Sequence, residues 1–225
     1  MNGHLITIDG LDGSGKATQT ELLCKELKRR GIKFRHVSFP DYEEESSAPV
    51  KMYLNGEFGG KPEDVNAYAA SAFFAVDRYA SFVRHWREEY LSGTLIVADR
   101  YTTSNIIYQL PKLSRTDWDR YMEWVQDFEY EKLALPRPDL TIYLELPTEI
   151  SQQLLDKRYR ADGGRKDIHE SNTDYLSACR ESAAYAAKCL SWKTVNCEKD
   201  RTLRSVEDIH AEILKIVLEE PYVRI

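Results

Sequence analysis

The ten residues GLDGSGKATQ, numbers 10–19, constrain this chain more than any others. They follow a short apolar run, LITID over 5–9, and precede an amphipathic stretch beginning at Thr18. A glycine-rich turn between a strand and a helix exposes backbone N–H groups around one point, and the helix N-terminus adds its dipole. That arrangement suits an anion, and Lys16 supplies a cation able to reach terminal phosphates. The stretch Gly10, Asp12, Gly13, Ser14, Gly15, Lys16, Ala17 and Thr18 is therefore read as a nucleotide-phosphate cradle. Two residues depart from the usual pattern. Ala17 lacks the hydroxyl that would ligate magnesium, which leaves Thr18, a carboxylate acting through water, or water alone. Asp12 places a carboxylate beside a polyanion, at an electrostatic cost. That cost is understandable if Asp12 faces a second, hydroxyl-bearing ligand.

Four more apolar runs occur: FRHVSF (34–39), TLIVAD (94–99), LTIYLEL (140–146) and TVNC (194–197). Near-continuous apolar character predicts strands covered on both faces. Helical patterns fall between them over 18–30, 63–90, 115–133, 149–157, 173–190 and 206–218, with a shorter one over 48–54. Strand then helix, repeated, predicts a parallel sheet flanked by helices on both sides. The 225 residues suit one domain, 1–225. Two segments break the alternation: the acidic, then glycine-rich 41–64, and RYRADGGRKDIHESN over 158–172. Cations and glycines together in the second suit a lid over phosphates.

A net charge of -6 argues against broad binding to nucleic acid, which needs a basic face. The four cysteines show no CxxC pair or metal-ligand spacing and predict reduced thiols. No stretch of about 18 apolar residues and no basic-then-apolar leader is visible, so no membrane association is expected and a soluble, cytoplasmic protein is predicted.

The stretch ADRYTTSNIIYQ begins at the carboxyl end of the third apolar run, where a doubly wound sheet lines its ligand crevice. Asp99 would then face magnesium and Arg100 a transferring phosphoryl.

These segments together resemble the thymidylate kinase family of P-loop nucleoside monophosphate kinases. The resemblance runs from about Leu5 to Cys197 and is carried by GLDGSGKATQ, SFP (38–40), FFAVDRY (73–79), ADRYTTS with Tyr108 and Gln109, LPRPDLTIYLEL (135–146) and the lid. It implies a P-loop NTPase-type α/β fold, with a parallel five-stranded sheet, helices on both faces and a lid over about 158–171. It implies ATP and dTMP as substrates, Mg2+ with ATP, and a homodimer formed through the helix at 63–90 and its neighbour. Lys16 and the loop amides would hold ATP, and Asp12 would contact a sugar hydroxyl of the acceptor. Phe74 would stack on the base and Arg78 would bind the acceptor phosphate. Ser104 and Tyr108 would line the base and sugar pocket, Tyr108 crowding a 2′-hydroxyl; Phe39 would also border the substrate. Gly13 stands where some relatives carry a basic residue, so the catalytic set is expected to be Lys16 and Arg100 with the lid arginines Arg160 and Arg165. Arg158 and Lys166 could share that role. Asp99 and Thr18 are the expected metal contacts, directly or through water. One departure matters: Asp41 and Tyr42 follow SFP where many relatives have an arginine, with Lys51 a possible substitute. That absence motivates a rival reading, a deoxynucleoside kinase acting on thymidine or a related nucleoside. Ala17 motivates another, a nucleotide-binding relative with little turnover.

Overall fold

The computed structural model describes residues 2–163 and 166–223. Its centre is a five-stranded parallel sheet made of β1 Leu5–Gly10, β2 Phe34–Ser38, β3 Leu95–Asp99, β4 Leu140–Glu145 and β5 Lys193–Asn196, in the order β2-β3-β1-β4-β5. All four pairings are parallel, as the apolar runs predict. β1 is buried along its whole length. Alternate side chains point to opposite faces of a strand. Ile6 and Ile8 pack with Leu23 and Leu27 of α1 (Lys16–Arg29), and with Ile209 and Ile213. Leu5 packs on the other side with Phe82, Trp86 and Ile96.

The remaining helices are α2 Ala48–Leu54, α3 Ala67–Ser81, α4 Arg87–Leu91, α5 Thr102–Gln109, α6 Trp118–Gln126, α7 Thr148–Asp162, α8 Thr173–Cys189 and α9 Val206–Glu219. Two expected single helices are interrupted. The stretch 63–90 divides into a 3-10 turn, α3, a π-helical segment Phe82–Trp86, and α4. The stretch 115–133 divides into a 3-10 turn, α6, and a second π-helical segment, Asp127–Lys132. Apolar periodicity does not register the extra residue of a π turn, which locally re-aims side chains. The pattern over 149–157 extends through Asp162, so Arg158 and Arg160 lie on a helix. A small hairpin of β6 Glu198–Lys199 and β7 Thr202–Leu203 was not legible as strands. Its turn, Asp200 and Arg201, has both residues at positive φ (54° and 61°), the conformation a two-residue hairpin turn requires.

All four cysteines are free. Among the described residues no helix is long and apolar enough to cross a membrane.

Candidate active site

β1 delivers Asp9 and Gly10 to the carboxyl edge of the sheet, and α1 begins six residues later at Lys16. The turn between them closes through Ser14 N–H donating to the Leu11 carbonyl at 3.1 Å. Gly13 sits at φ 81°, and a Cβ there would lie 2.5 Å from the Ser151 carbonyl oxygen, so no larger residue fits without a shift. Lys16 is buried and its Nζ donates to the Leu11 carbonyl at 2.7 Å. Burial, with Arg100 nearby, lowers its ammonium to about 8 despite Asp12, Asp99 and Asp9. The Ser14 hydroxyl and the Gln19 side-chain oxygen, Oε1, are buried without partners among the described residues. Unpaired buried polar atoms beside an anion cradle are groups a ligand can satisfy.

This loop floors a wide crevice of about 2010 Å³, counted with its open mouth. Asp12, Gly13, Ser14, Gly15, Lys16, Ala17 and Thr18 all border it, as do Lys51, Asp99 and Arg158. Gly10 lies behind the loop, where its carbonyl accepts from Arg100 Nη1 at 3.2 Å. Asp99 ends β3; burial pushes its carboxyl up while Lys16 and Arg100 pull it down. Leu203, Arg204 and Val206 line the far end, so the unpredicted hairpin and α9 complete the wall.

A smaller cavity, about 500 Å³ counted with its open mouth, lies beside it and is bordered by Phe74, Arg78, Ser104, Asn105, Tyr108 and His169 among others. Asp12, Phe39, Arg100 and Asp167 border both cavities. Arg100 holds this junction. Its φ of 65° is left-handed, an uncommon conformation for a non-glycine residue, and it turns the side chain back from the end of β3. Its Nη2 pairs with Asp12 Oδ1, and its Nη1 reaches Ser104 Oγ at 3.3 Å and Asp9 at 3.5 Å. Tyr108 donates its hydroxyl to Asp12 Oδ2 at 2.7 Å and accepts from the Asp12 backbone N–H at 3.1 Å. Burial opposes ionisation of Asp12, but Arg100 and Lys16 outweigh it and hold its carboxyl well below the usual range. Asp12 is therefore a permanent anion whose lone pairs face both cavities.

Asp9 ends the apolar run LITID. It is fully buried and accepts from Gly10 N–H (2.8 Å), Thr103 Oγ1 (2.5 Å) and Ser104 Oγ (2.9 Å), which ties β1 to the start of α5.

Arg78 lies on α3 and is 1% exposed. Its Nε and Nη2 each donate to Glu129 at 2.7 Å, and Asn105 Nδ2 donates to the same carboxylate at 2.8 Å. Glu129, in the second π-helical segment, was not singled out from the sequence. Arg78 borders the smaller cavity with Phe74 and Asn105 and is absent from the lining of the phosphate-loop crevice. It shares no cavity lining with Lys16. Phe74 meets Tyr53 edge-on at 6.2 Å. Phe39 is buried against Tyr101 at 5.9 Å.

The lid residues divide. Arg158 faces the crevice and pairs with Glu170 at 2.8 Å. Arg160 is exposed and does not border the crevice, because residues two apart on a helix point in different directions. Arg165 lies outside the described residues. Lys166 is held on α7 by Asp156 at 2.7 Å and Gln152 at 2.8 Å. The turn after it brings two unpredicted groups, Asp167 and His169, to the smaller cavity. Burial, with Asp12 opposite, pushes the Asp167 carboxyl up to about 7.

The parallel sheet and the glycine-lysine cradle define a P-loop nucleotide-binding protein whose phosphate crevice adjoins a second ligand cavity. A family model described as "Thymidylate kinase" matches residues 8–213. The chain is 31% identical over 185 residues to a thymidylate kinase of Mycobacterium tuberculosis, covering 81% of this chain and 84% of that one. It is 26% identical over 215 residues to a thymidylate kinase of Plasmodium falciparum, covering 96% and 90%. The structure of thymidylate kinase from Candida albicans matches with a TM-score of 0.70 at 20% identity, over 99% of this chain and 94% of that one, which is a likeness of fold. This chain belongs to the thymidylate kinase family.

Proposed function

We propose that the protein transfers the γ-phosphoryl group of ATP to dTMP, giving dTDP and ADP. The observation that carries this reading is the pair of adjoining cavities with Asp12 and Arg100 on their shared border. ATP would lie in the loop crevice, its phosphates on the loop amides and Lys16. dTMP would occupy the smaller cavity, with its base between Phe74, Arg78 and Asn105 and its phosphate toward Arg100. Lys51, which borders the crevice from α2, supplies a cation near the position where many relatives have an arginine after SFP. A phosphate oxygen is already a competent nucleophile, so the chain's residues act by positioning and by stabilising charge. Arg158 is the described lid arginine placed to neutralise the transferring phosphoryl.

Mg2+ is expected with ATP. Among the described residues no group of three or more His, Cys, Asp or Glu could cage a metal. Thr18 and Asp99, both on the crevice wall, suit an ion held mainly by phosphates and water. Bound there, Mg2+ would offset phosphate charge. A homodimer and a cytoplasmic location complete the reading, the first supported by Val76, Tyr79 and Val83 exposed along α3 and its π-helical extension.

The test is an acceptor panel of dTMP, dUMP, thymidine and dCMP with ATP, followed by ADP release. dTMP is expected to be the preferred acceptor. Preference for thymidine would favour a nucleoside kinase, and release at background with every acceptor would favour a binding protein.

A further inference from the structure

The turn after α7 inserts one histidine into the wall of the acceptor cavity, and nothing in the phosphoryl-transfer reading uses it. His169 is 4% exposed. Its position is fixed by backbone bonds: Ile168 N–H donates to the Leu54 carbonyl at 3.2 Å, and His169 and Glu170 N–H both donate to Asp167 Oδ1 at 2.8 Å. The imidazole stacks on Tyr108 with centroids 5.2 Å apart and planes 12° from parallel, and meets Tyr53 edge-on at 5.3 Å.

The hydrogen bonds around Tyr53 bear on where the imidazole proton lies. Lys112 Nζ donates to Tyr53 Oη at 2.8 Å and to the Val65 carbonyl at 2.9 Å. An ammonium has donors only, so Tyr53 Oη must accept that bond. The single phenolic hydrogen is then free to go to the other neighbour, His169 Nε2, at 2.8 Å. With that hydrogen directed at Nε2, the neutral ring carries its proton on Nδ1. Burial, with Lys112 and Arg100 nearby, pushes the imidazole down to about 3, which keeps it neutral. Among the described residues Nδ1 has no hydrogen-bond partner, and the ring borders the acceptor cavity.

Gln109 Nε2 at this cavity is buried without a partner among the described residues, whereas four other donors are committed. Arg78 and Asn105 bond Glu129, and Arg100 and Tyr108 bond Asp12. Asp12 offers lone pairs only. An acceptor carboxylate and a neutral N–H donor, both set against Tyr108, recognise a group that gives one hydrogen bond and takes another. A hydroxyl does this; an ether, a ketone or a hydrogen atom does not.

We propose that His169 is a specificity-determining residue for the acceptor, its Nδ1–H donating to the same sugar hydroxyl, the 3′-hydroxyl of the deoxyribose, that donates to Asp12. Lys112 and Tyr53 act as positioning residues that set the ring's tautomer. This rests on dTMP being the acceptor.

The experiment compares dTMP with 3′-deoxy-dTMP as acceptors at pH 7 for the wild-type chain, His169→Phe and Tyr53→Phe. Phenylalanine keeps the stack on Tyr108 and removes both nitrogens. One neutral hydrogen bond is worth about tenfold in affinity. His169→Phe is expected to raise KM for dTMP about tenfold, with kcat and KM for ATP within about twofold, and to change 3′-deoxy-dTMP by no more than about twofold. Tyr53→Phe, which leaves the tautomer unset, should show a smaller loss confined to dTMP, and it carries the test alone if His169→Phe does not fold. An equal loss on both acceptors, or no loss on dTMP, overturns the proposal. A wild-type chain that fails to phosphorylate dTMP overturns the functional reading instead.

Discussion

Replacing Glu129 with glutamine tests whether the buried ion pair behind the acceptor cavity holds that wall in place. Arg78 and Glu129 have side chains 2% and 1% exposed and share two bonds of 2.7 Å. The substitution keeps the shape and removes the charge, which leaves a buried guanidinium facing only Asp77 among nearby carboxylates. Asp77 is itself occupied by Asp41 N–H and Ser46 Oγ at 2.9 Å. Breaking a buried pair by removing one partner costs about 3–5 kcal/mol. Because glutamine still accepts one hydrogen bond, about 3 kcal/mol is expected here. In a chain of this length that corresponds to a fall in Tm of roughly 6–12 °C. Urea unfolding followed by far-UV circular dichroism measures it, with an unchanged m-value as the check on two-state behaviour. Glu131→Gln is the control, since its pair with Arg137 (2.8 Å) is 59% and 51% exposed and should matter by less than about 1 kcal/mol. KM for dTMP should rise in Glu129→Gln alone. A loss no larger than the control's would refute the claim that Glu129 carries the Arg78 charge.

Lys16→Met and Arg100→Ala are each expected to lower turnover at least about a hundredfold with the fold retained, as circular dichroism would show; near-normal turnover in either removes its assigned role. Arg158→Ala should lower kcat about tenfold or more while Arg160→Ala stays within about twofold, and the reverse ranking would mean that the helix turns in the closed state. His169 predicts an acid-sensitive stability. The groups facing it are Lys112, Arg100, Asp12, Asp167 and the phenols of Tyr53, Tyr108 and Tyr175. Its folded pKa of about 3 lies below the ordinary 6.5, so the unfolded chain binds the extra proton, and stability present above pH 6.5 is lost as pH falls toward 3. Between pH 7.5 and 5 the wild type should lose about 2 kcal/mol more than His169→Phe, and parallel pH curves would exclude the buried neutral ring.

The sheet and the loop were legible because their signals are local. Four continuous apolar runs, and a glycine turn followed by Lys16, specify strand, cradle and helix within a few residues of one another. Phe74 and Tyr108 reach the same cavity because each sits one helical turn from another candidate, Arg78 on α3 or Ser104 on α5. What stayed hidden depends on partners distant in sequence. Glu129 lies 51 residues from Arg78, and nothing in EYEKL announces a buried acid. Asp9 was masked by an apolar strand pattern, although an Asp before the first glycine is a signal that could have been weighed. The helical pattern over 149–157 stops short of the lid arginines, and the helix that continues through Asp162 turns Arg158, not Arg160, toward the crevice.

The second cavity depends on the backbone at Arg100 as much as on its charge. β3 ends one residue before it, and Phe39 N–H and Arg100 N–H are already bonded to Asp99 and Ile8 carbonyls at 3.0 Å, so the peptide cannot be re-aimed. With ordinary negative φ the side chain would point to one face of the sheet, as along the rest of the strand. The left-handed turn costs on the order of 1 kcal/mol. It places one guanidinium where it meets the carboxylates of Asp12 and Asp9 and the ring of Tyr108, centroid 5.4 Å away. A charge fixed by partners on the loop, the strand and α5 cannot follow either substrate as it moves. The carboxylate of Asp12, already ion-paired, gains selectivity for a hydroxyl because a second anion approaching it would find Arg100 compensated.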